Sequence, residues 1–473
     1  MSDEVFECYA VAEGTSGAKF WEVRVDGSDM HIRYGKVGQD KSWTTKSFSD
    51  HAAALKEAKK KLRSKTNKGY VEASRDGDAG APPAAAQTYE EKWGELRSLV
   101  EQKANKSNLN KVKALFESMW TEDKERTDQE LVPFLTDKLE SWPDGYFAHS
   151  VKREGNRKPW PKATAPLFDD EKLDDAPFAI FARGFSLDFN GCYEPGDDVE
   201  VSDYAQKYWV DQPVNTRTFC ATRASKSLKK IKLSYHSLCE IQQYVTPAHS
   251  DDLKRLLAEL PNIEEITLHN SWAMQHAGPI FANKENIAKL RTLDLLGSPI
   301  TLKDINAIAN SPKSSTLTRL AFTLSNDSGR DQKKRDAALV KLFSSTHLSN
   351  LEELVFTQGG DCSFGEDAAK GLLEATFKDS LTTFRHPDHI TNEALSILIS
   401  DELGLKTLDL WYSLRPEHLD TLEGSPDKCK LKTLVVNSGW QWNDEQNARL
   451  DAWGASRKVK IKRLSFWDQV VDY

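Results

Sequence analysis

The sequence predicts a multidomain α+β chain: a small antiparallel sheet with one helix, a helical middle segment, and a C-terminal α/β solenoid of strand-and-helix units. Three observations carry this. A chain of 473 residues is long for a single core. The first seventy positions alternate apolar and polar residues in short runs and then turn to helix formers. Beyond residue 225 a six-residue apolar phrase recurs to the end of the chain.

The first unit is read over residues 1–73. In "FWEVRV", Trp21, Val23 and Val25 fall on one face and Glu22 and Arg24 on the other; "DGSD" supplies a turn before "MHIRYGKVG". The run "SDHAAALKEAKKKLRSKTNKGY" then predicts one helix, capped by Ser49 or Asp50 and ending near Gly69. Residues 74–88, rich in Ala, Gly and Pro, predict a flexible linker. From 89 to 155, apolar residues three and four apart in "YEEKWGELRSLVEQ" and "LNKVKALFESMW" predict helices. Residues 156–225 are expected to be an irregular acidic segment or a cap for the repeats. Positions 169–203 hold eleven acidic residues against Lys172 and Arg183, without the spacing of a calcium loop, and read as a solvated loop.

Residues 226–473 carry the repeat. Its copies are "LKKIKL" at 228, "IEEITL" at 263, "LRTLDL" at 290, "LTRLAF" at 317, "LEELVF" at 351, a degraded "LTTFRH" at 381, "LKTLDL" at 405, "LKTLVV" at 431 and "IKRLSF" at 461. Their starts lie 24 to 35 residues apart, which leaves room for a helix between copies. The phrase resembles a divergent leucine-rich repeat, whose period is roughly 20 to 29 residues. Such units stack because none can bury its apolar face alone, and the resemblance implies strands lining a concave surface. The asparagine expected after the last leucine is missing; Ser298 and Ser413 are among its replacements. Strand alternation points Trp411, Tyr412 and Trp467 to the concave side, with Trp440 and Trp442 nearby. These rings are either anchors for a protein partner or the packed cap of the solenoid's end.

Composition narrows the function classes. Residues 31–70 hold eleven Lys or Arg against three acidic groups, a local +8 that leaves −16 for the rest of a chain of net charge −8. A basic module on an acidic body predicts an anionic partner. No apolar run reaches the roughly 18 residues of a membrane span, and "MSDEVFECYA" lacks the features of a signal peptide. The expectation is an intracellular protein, cytoplasmic or nuclear, with no membrane partner. The six cysteines form no C-x-x-C pair and read as buried, reduced thiols.

Four stretches, "KFWEVRVDG" at 19, "RYGKVG" at 33, "TKSF" at 45 and "KTNKGYVE" at 65, together resemble a WGR domain in order and spacing. Domains of this kind occur in poly(ADP-ribose) polymerases, where they bind DNA ends, and in bacterial proteins resembling a regulator of molybdate metabolism. The name-giving Trp-Gly-Arg falls on Tyr34, Gly35 and Lys36, so two of its three positions are substituted. The resemblance implies a ring that stacks at a strand terminus and a cation that meets phosphate, and Tyr and Lys keep those chemical types. Lysine loses the bidentate fork of arginine. Gly35 permits either close backbone approach or a positive φ. Simple alternation sets Tyr34 with Ile32 and Met30 instead, in the core, with Arg33 outside. The candidate nucleic-acid contacts are Arg33, Tyr34, Gly35, Lys36, Lys41 and the helix cations Lys59, Lys60, Lys61 and Arg63, which also fit a solvated face or a nuclear-import signal.

Catalysis finds little support. "GTSGAK" at 14 lacks the spacing of a phosphate-binding loop, and the histidines of "HPDH" at 386 lack an H-E-x-x-H arrangement. The expectation is a non-catalytic adaptor with no metal or cofactor. Its WGR-like module would hold nucleic acid, DNA in preference, and its solenoid a protein. The alternative is a pure protein-interaction scaffold.

Overall fold

The structure is a computed structural model; it describes residues 6–12, 18–39, 41–66, 70–72, 87–154, 160–190, 214–236, 250–269, 289–324, 332–357, 363–386, 389–411, 413–426, 429–437 and 442–464. The chain divides into two compact units, residues 1–88 and 89–473.

Unit one is a five-stranded antiparallel sheet with a single helix on one face. Its strands are β1 (Phe6–Ala12), β2 (Lys19–Asp26), β3 (Asp29–Lys36), β4 (Thr44–Ser47) and β5 (Val71–Glu72), in the order β4-β3-β2-β1-β5. The β2–β3 hairpin closes through Gly27 at φ 57°, a left-handed turn position that glycine occupies at no steric cost. Helix α1 (His51–Thr66) is capped by Asp50, whose Oδ1 accepts the Ala53 N–H at 2.8 Å. That hydrogen bond is the main reason the Asp50 carboxyl is held below its ordinary pKa. Ala54 and Ala58 are small enough to seat α1 on Trp21, Val23, Val25, Met30 and Cys8, the core of the unit. His51 Nδ1 lies 2.9 Å from Gly27 O, so α1 starts beside the hairpin turn and runs toward the hairpin's open end.

Unit two begins with helices whose buried side chains, among them Leu96, Phe116, Trp120 and Leu135, form their own core. The helical part stops at Leu139, short of the expected residue 155. Residues 148–154 are instead the first strand of a parallel sheet. Arg183 closes the last helix, donating to Leu139 O at 2.5 Å and Trp142 O at 2.7 Å, which satisfies carbonyls that a helix end leaves open.

The sheet has eleven strands: β6 (Ala148–Glu154), β7 (Gly184–Asn190), β8 (Lys230–His236), β9 (Glu265–His269), β10 (Thr292–Ile300), β11 (Arg319–Leu324), β12 (Glu353–Thr357), β14 (Thr383–Arg385), β16 (Thr407–Asp409), β17 (Thr433–Asn437) and β18 (Lys460–Leu464). Each pairs with the next in that order, and no closed barrel forms. The short β13 (Ser363–Phe364) and β15 (His389–Ile390) pair with each other. Helices such as Leu302–Asn310 and Glu366–Leu373 connect the strands, as a parallel sheet requires.

Register tests the repeat directly. Ile231, Ile266, Leu293, Leu320, Leu354, Phe384, Leu408 and Leu434, the fourth residue of eight phrases, stand opposite one another from strand to strand. Ile461 breaks the expectation: it faces Leu434, so the phrase "IKRLSF" is three residues out of step, because its first residue occupies the fourth position of the repeat. Two strands precede the copies legible in the sequence. Phe185 faces Ile231, which makes "ARGFSL" at 182 a copy with alanine in first place, and the segment expected to be irregular contributes β7. Where the asparagine is missing, the hydroxyls of Ser298 and Ser413 donate to the carbonyls of Leu268, at 2.8 Å, and of His386, each in the preceding copy.

The intervening positions carry charge in alternating sign. Lys230 meets Glu265 at 2.7 Å; Asp294 meets Arg319 at 2.8 Å and His269 at 3.1 Å; Arg319 also pairs with Glu353. Burial alone would raise the Asp294 pKa, but the His269 hydrogen bond and the Arg319 charge hold it down to about 2.

Candidate nucleic-acid interface

The open end of the β2–β3 hairpin forms a cleft of about 670 Å³ lined by Lys19, Phe20, Arg33, Tyr34, Gly35, Lys36, Gln39, Lys41, Ser42, Thr44 and Tyr70. Cross-strand pairing builds it. Tyr34 stands opposite Trp21, and so belongs to the face that α1 covers. Alternation therefore assigns its face correctly, but Trp21 is buried and Tyr34 is 65% exposed. The reason is the length of α1, whose last turn reaches only as far as Lys65. The Lys65 ammonium sits 6.0 Å from the Trp21 ring, 5.7 Å from Tyr34 and 5.0 Å from Tyr70. A cation within such a distance of a ring face is attracted to it, so Lys65 ties both tyrosines to the end of the helix.

Arg33 is placed otherwise than expected of a nucleic-acid contact. It is 7% exposed, its Nε donates to Glu22 Oε2 at 2.6 Å, and its guanidinium lies 4.5 Å from the Trp43 ring. Glu22 is its direct cross-strand neighbour on the face away from α1, and a buried cation requires such a partner. Gly35 serves close approach and not a positive φ: a Cβ there would lie 2.9 Å from Lys41 Cγ and 3.3 Å from Phe20 Cε1. Lys41 thereby crosses the strand directly beside Tyr34.

Lys36 stands opposite Lys19 across the hairpin. Like charges at directly opposed positions destabilise a sheet. Among the described residues neither lysine makes an ion pair, and nor does Lys41. Lys19 and Tyr70 lie in the motif stretches but are not among the candidate contacts drawn from the sequence. The signal for Lys19 lay in the turn, since a two-residue loop between Asp26 and Asp29 fixes position 19 opposite position 36.

The helix cations do not line the cleft. Lys59, Lys60 and Arg63 are exposed on α1, while Lys60 and Lys61 each reach Glu57 only at 4.0 Å. They form a separate basic surface.

In unit two, the expected exposed aromatics are not found among the described residues. Trp411 is 5% exposed and its indole N–H donates to Leu464 O at 2.9 Å, so it joins β16's end to the last strand, which at this position fits the packed alternative and not the exposed anchor. Trp442 is half-buried against the main core. Tyr412, Trp440 and Trp467 lie outside the described residues. Leu296, Ala321 and Val355, on the face expected to be open, are buried as well, packed in one small cluster from three successive strands.

Other candidate chemistry is engaged structurally. His386 is buried with Nδ1 3.0 Å from Phe356 O, and Arg415 lies 2.6 Å from Nδ1 of His389. Burial pushes the thiols of Cys8 and Cys220 up to about 11 and about 12, out of the reactive range; Cys192, Cys239 and Cys362 lie outside the described residues. Among the described residues no group of three His, Cys, Asp or Glu is placed to hold a metal, and no helix is long and apolar enough to cross a membrane.

Comparison with known proteins locates the likeness in unit one. Protein YehF of Escherichia coli K12 is 37% identical over 84 residues, which are 18% of this chain and 30% of YehF. The uncharacterized protein YfeS of the same organism is 41% identical over 54 residues, 11% of this chain and 22% of YfeS. The chain thus spans less than a third of the length of either relative. A crystal structure of a Bacteroides fragilis protein aligns over 98% of both chains at 15% identity with a TM-score of 0.31, too low to mark a shared fold. The WGR domain family matches residues 7–77, a span that takes in β1, the strand between β2 and β5. With its sheet, its helix and the Tyr34-Gly35-Lys36 segment accounted for, that stretch of the chain is a WGR domain.

Proposed function

We propose that this chain is a non-catalytic nucleic-acid-binding protein whose WGR domain holds a phosphate backbone at the hairpin cleft, with Tyr34 stacking on a base or sugar. The observation that carries this is the Lys19–Lys36 pair. Two like charges set opposite each other beside an exposed ring cost the sheet stability and find no partner among the described residues. A bound phosphate offsets that cost, and a nearby nucleobase supplies a partner for the ring. Lys41, held across Gly35, adds a third cation to the same cleft.

The second half of the chain, with its in-register phrases and strand-by-strand order, supports a leucine-rich-repeat-like solenoid as its reading. A protein partner on that part was expected to dock on exposed tryptophans, and the burial of Trp411 removes one of them. The basic cleft, not an aromatic surface, therefore carries the proposed activity.

The test is fluorescence polarisation of the full chain with blunt, nicked and end-blocked DNA at two salt concentrations, using wild type and the Tyr34→Ala, Lys36→Ala double variant. End-dependent binding that falls at least about tenfold in the variant supports the reading. Absence of binding by folded wild type overturns it.

A further inference from the structure

We infer that the last repeats of the large sheet carry a second, sequence-independent site for a nucleic-acid phosphate backbone; this rests on the reading of the WGR domain as a nucleic-acid module. The site is formed by Lys406, Lys430, Lys432, Lys458, Lys460 and Lys462. All six are exposed, and none makes an ion pair among the described residues.

Register brings them together. The Lys432 N–H donates to Lys406 O and the Lys460 N–H to Lys432 O, both at 2.8 Å, so these three belong to successive strands. Lys460 stands opposite Thr433, and Lys462 shares its face two residues on. Thr407, Thr433 and Lys460 stand in one row, so Lys406 and Lys432 lie one position ahead of Lys460, and with strands about 4.8 Å apart the three backbones fall within about 10 Å along the sheet. Lys458 holds a left-handed φ of 57° at the end of the preceding helix, immediately before β18.

The sign of this cluster runs against its surroundings. Residues 89–473 hold 50 basic against 59 acidic residues, a balance of −9. Earlier strands of the same sheet set opposite charges side by side, Lys230 with Glu265 and Arg319 with Glu353. At this end Lys460 and Lys462 stand opposite the uncharged Thr433 and Val435, the Asp409 carboxylate on β16 is taken by Arg385 at 3.3 Å, and the other cations are used. Arg463 meets Asp451 at 2.9 Å, and Arg457 donates to Pro426 O at 3.0 Å.

What the patch lacks decides the kind of partner. Exposed large apolar side chains among the described residues are Tyr34, Val37, Trp43 and Val71, all in unit one. Protein interfaces take their energy from buried aromatic and apolar anchors and are depleted in lysine. A partner bound by lysine charge alone is a phosphate backbone, and compact ammonium groups without an arginine fork read charge and not sequence.

The experiment uses the full chain and a fluorescent blunt DNA duplex, titrated over a range of salt, with thermal unfolding to confirm folding. The variants are Lys406→Gln/Lys432→Gln/Lys460→Gln/Lys462→Gln and, separately, Tyr34→Ala/Lys36→Ala. The fourfold variant is expected to bind at least about tenfold more weakly at moderate salt and to flatten the salt dependence by up to about 0.9 per lost contact. An unchanged affinity and slope in that variant, with binding lost in the Tyr34/Lys36 variant, overturns the second site and leaves the WGR reading standing. Self-association of the fourfold variant with unchanged DNA binding also overturns it and identifies the lysines as guards of the terminal strand. No binding by wild type overturns both. Should the fourfold variant fail to fold, Lys406→Gln/Lys432→Gln, which leaves β18 intact, gives the same readings at half the effect.

Discussion

The WGR sheet and the earlier strands of the parallel sheet treat neighbouring charges in opposite ways. In the parallel sheet of unit two, Lys230 sits beside Glu265, and Arg319 lies between Asp294 and Glu353. In the WGR sheet, Glu22 and Arg33 obey the same logic close to the cleft, and then Lys19 and Lys36 violate it. Opposite signs side by side are what a sheet needs for its own stability, since each pair lowers the cost of holding the other in place. Equal signs side by side are a cost the fold bears for something outside itself. The contrast therefore separates charges that hold the protein together from charges free to hold a ligand.

The largest effect expected from breaking this contrast is at Glu22. Replacing it with Gln takes the Glu22 carboxylate from the buried Arg33 guanidinium, which should cost about 3 kcal/mol. Urea unfolding should show early melting of the WGR domain, and a loss under about 1 kcal/mol would mean that the other contacts of Arg33, the Trp43 ring among them, support it without Glu22.

A smaller loss is expected from Arg319→Ala, which takes the cation from Asp294 and Glu353; about 2 kcal/mol is the scale for charged hydrogen bonds of this kind. The pH dependence sharpens it. The Asp294 pKa is lowered from 3.8 to about 2 in the folded chain, so its contribution is present above the higher value and is lost as pH falls through the lower one. Wild type should lose stability over that window, and Asp294→Asn should lose less. Equal acid sensitivity of the two would show that Asp294 carries none of it.

The smallest change in stability, and the most telling, is expected of Lys36→Glu. It converts the Lys19 neighbour from like to opposite charge, and should raise the domain's melting temperature by roughly 1 to 5 °C while weakening nucleic-acid binding. A variant that is both less stable and equally able to bind would refute the reading of this pair.

Much of unit one is legible from the chain alone. The alternation of "FWEVRV", the "DGSD" turn and the helix formers after Asp50 each appear where the pattern puts them. The phrase that defines unit two also holds its register across eight copies, because leucines at fixed spacing must all reach one core. It fails at the copy at 461, where "IKRLSF" satisfies the phrase but pairing with Leu434 sets Ile461 in fourth place and a lysine, Lys458, in first. It also passes over "ARGFSL", whose alanine hides the first apolar position.

The cleft is less legible, because exposure is a property of neighbours. Parity sets Tyr34 with the core residues Met30 and Ile32, and it lies on their face; it is exposed because α1 ends before covering it. Arg33 looks like a candidate contact in the one-dimensional motif and is buried because Glu22 lies directly across the hairpin. Trp411 looks like an anchor and is buried because β18 offers it a carbonyl. Periodicity and spacing are local and survive in the order of the residues, so element types and the recurring phrase could be read from them, and the WGR segment from its resemblance to a known family. Which side chains meet water depends on where a helix stops and which strand lies alongside, and those distances exist only once the chain has folded.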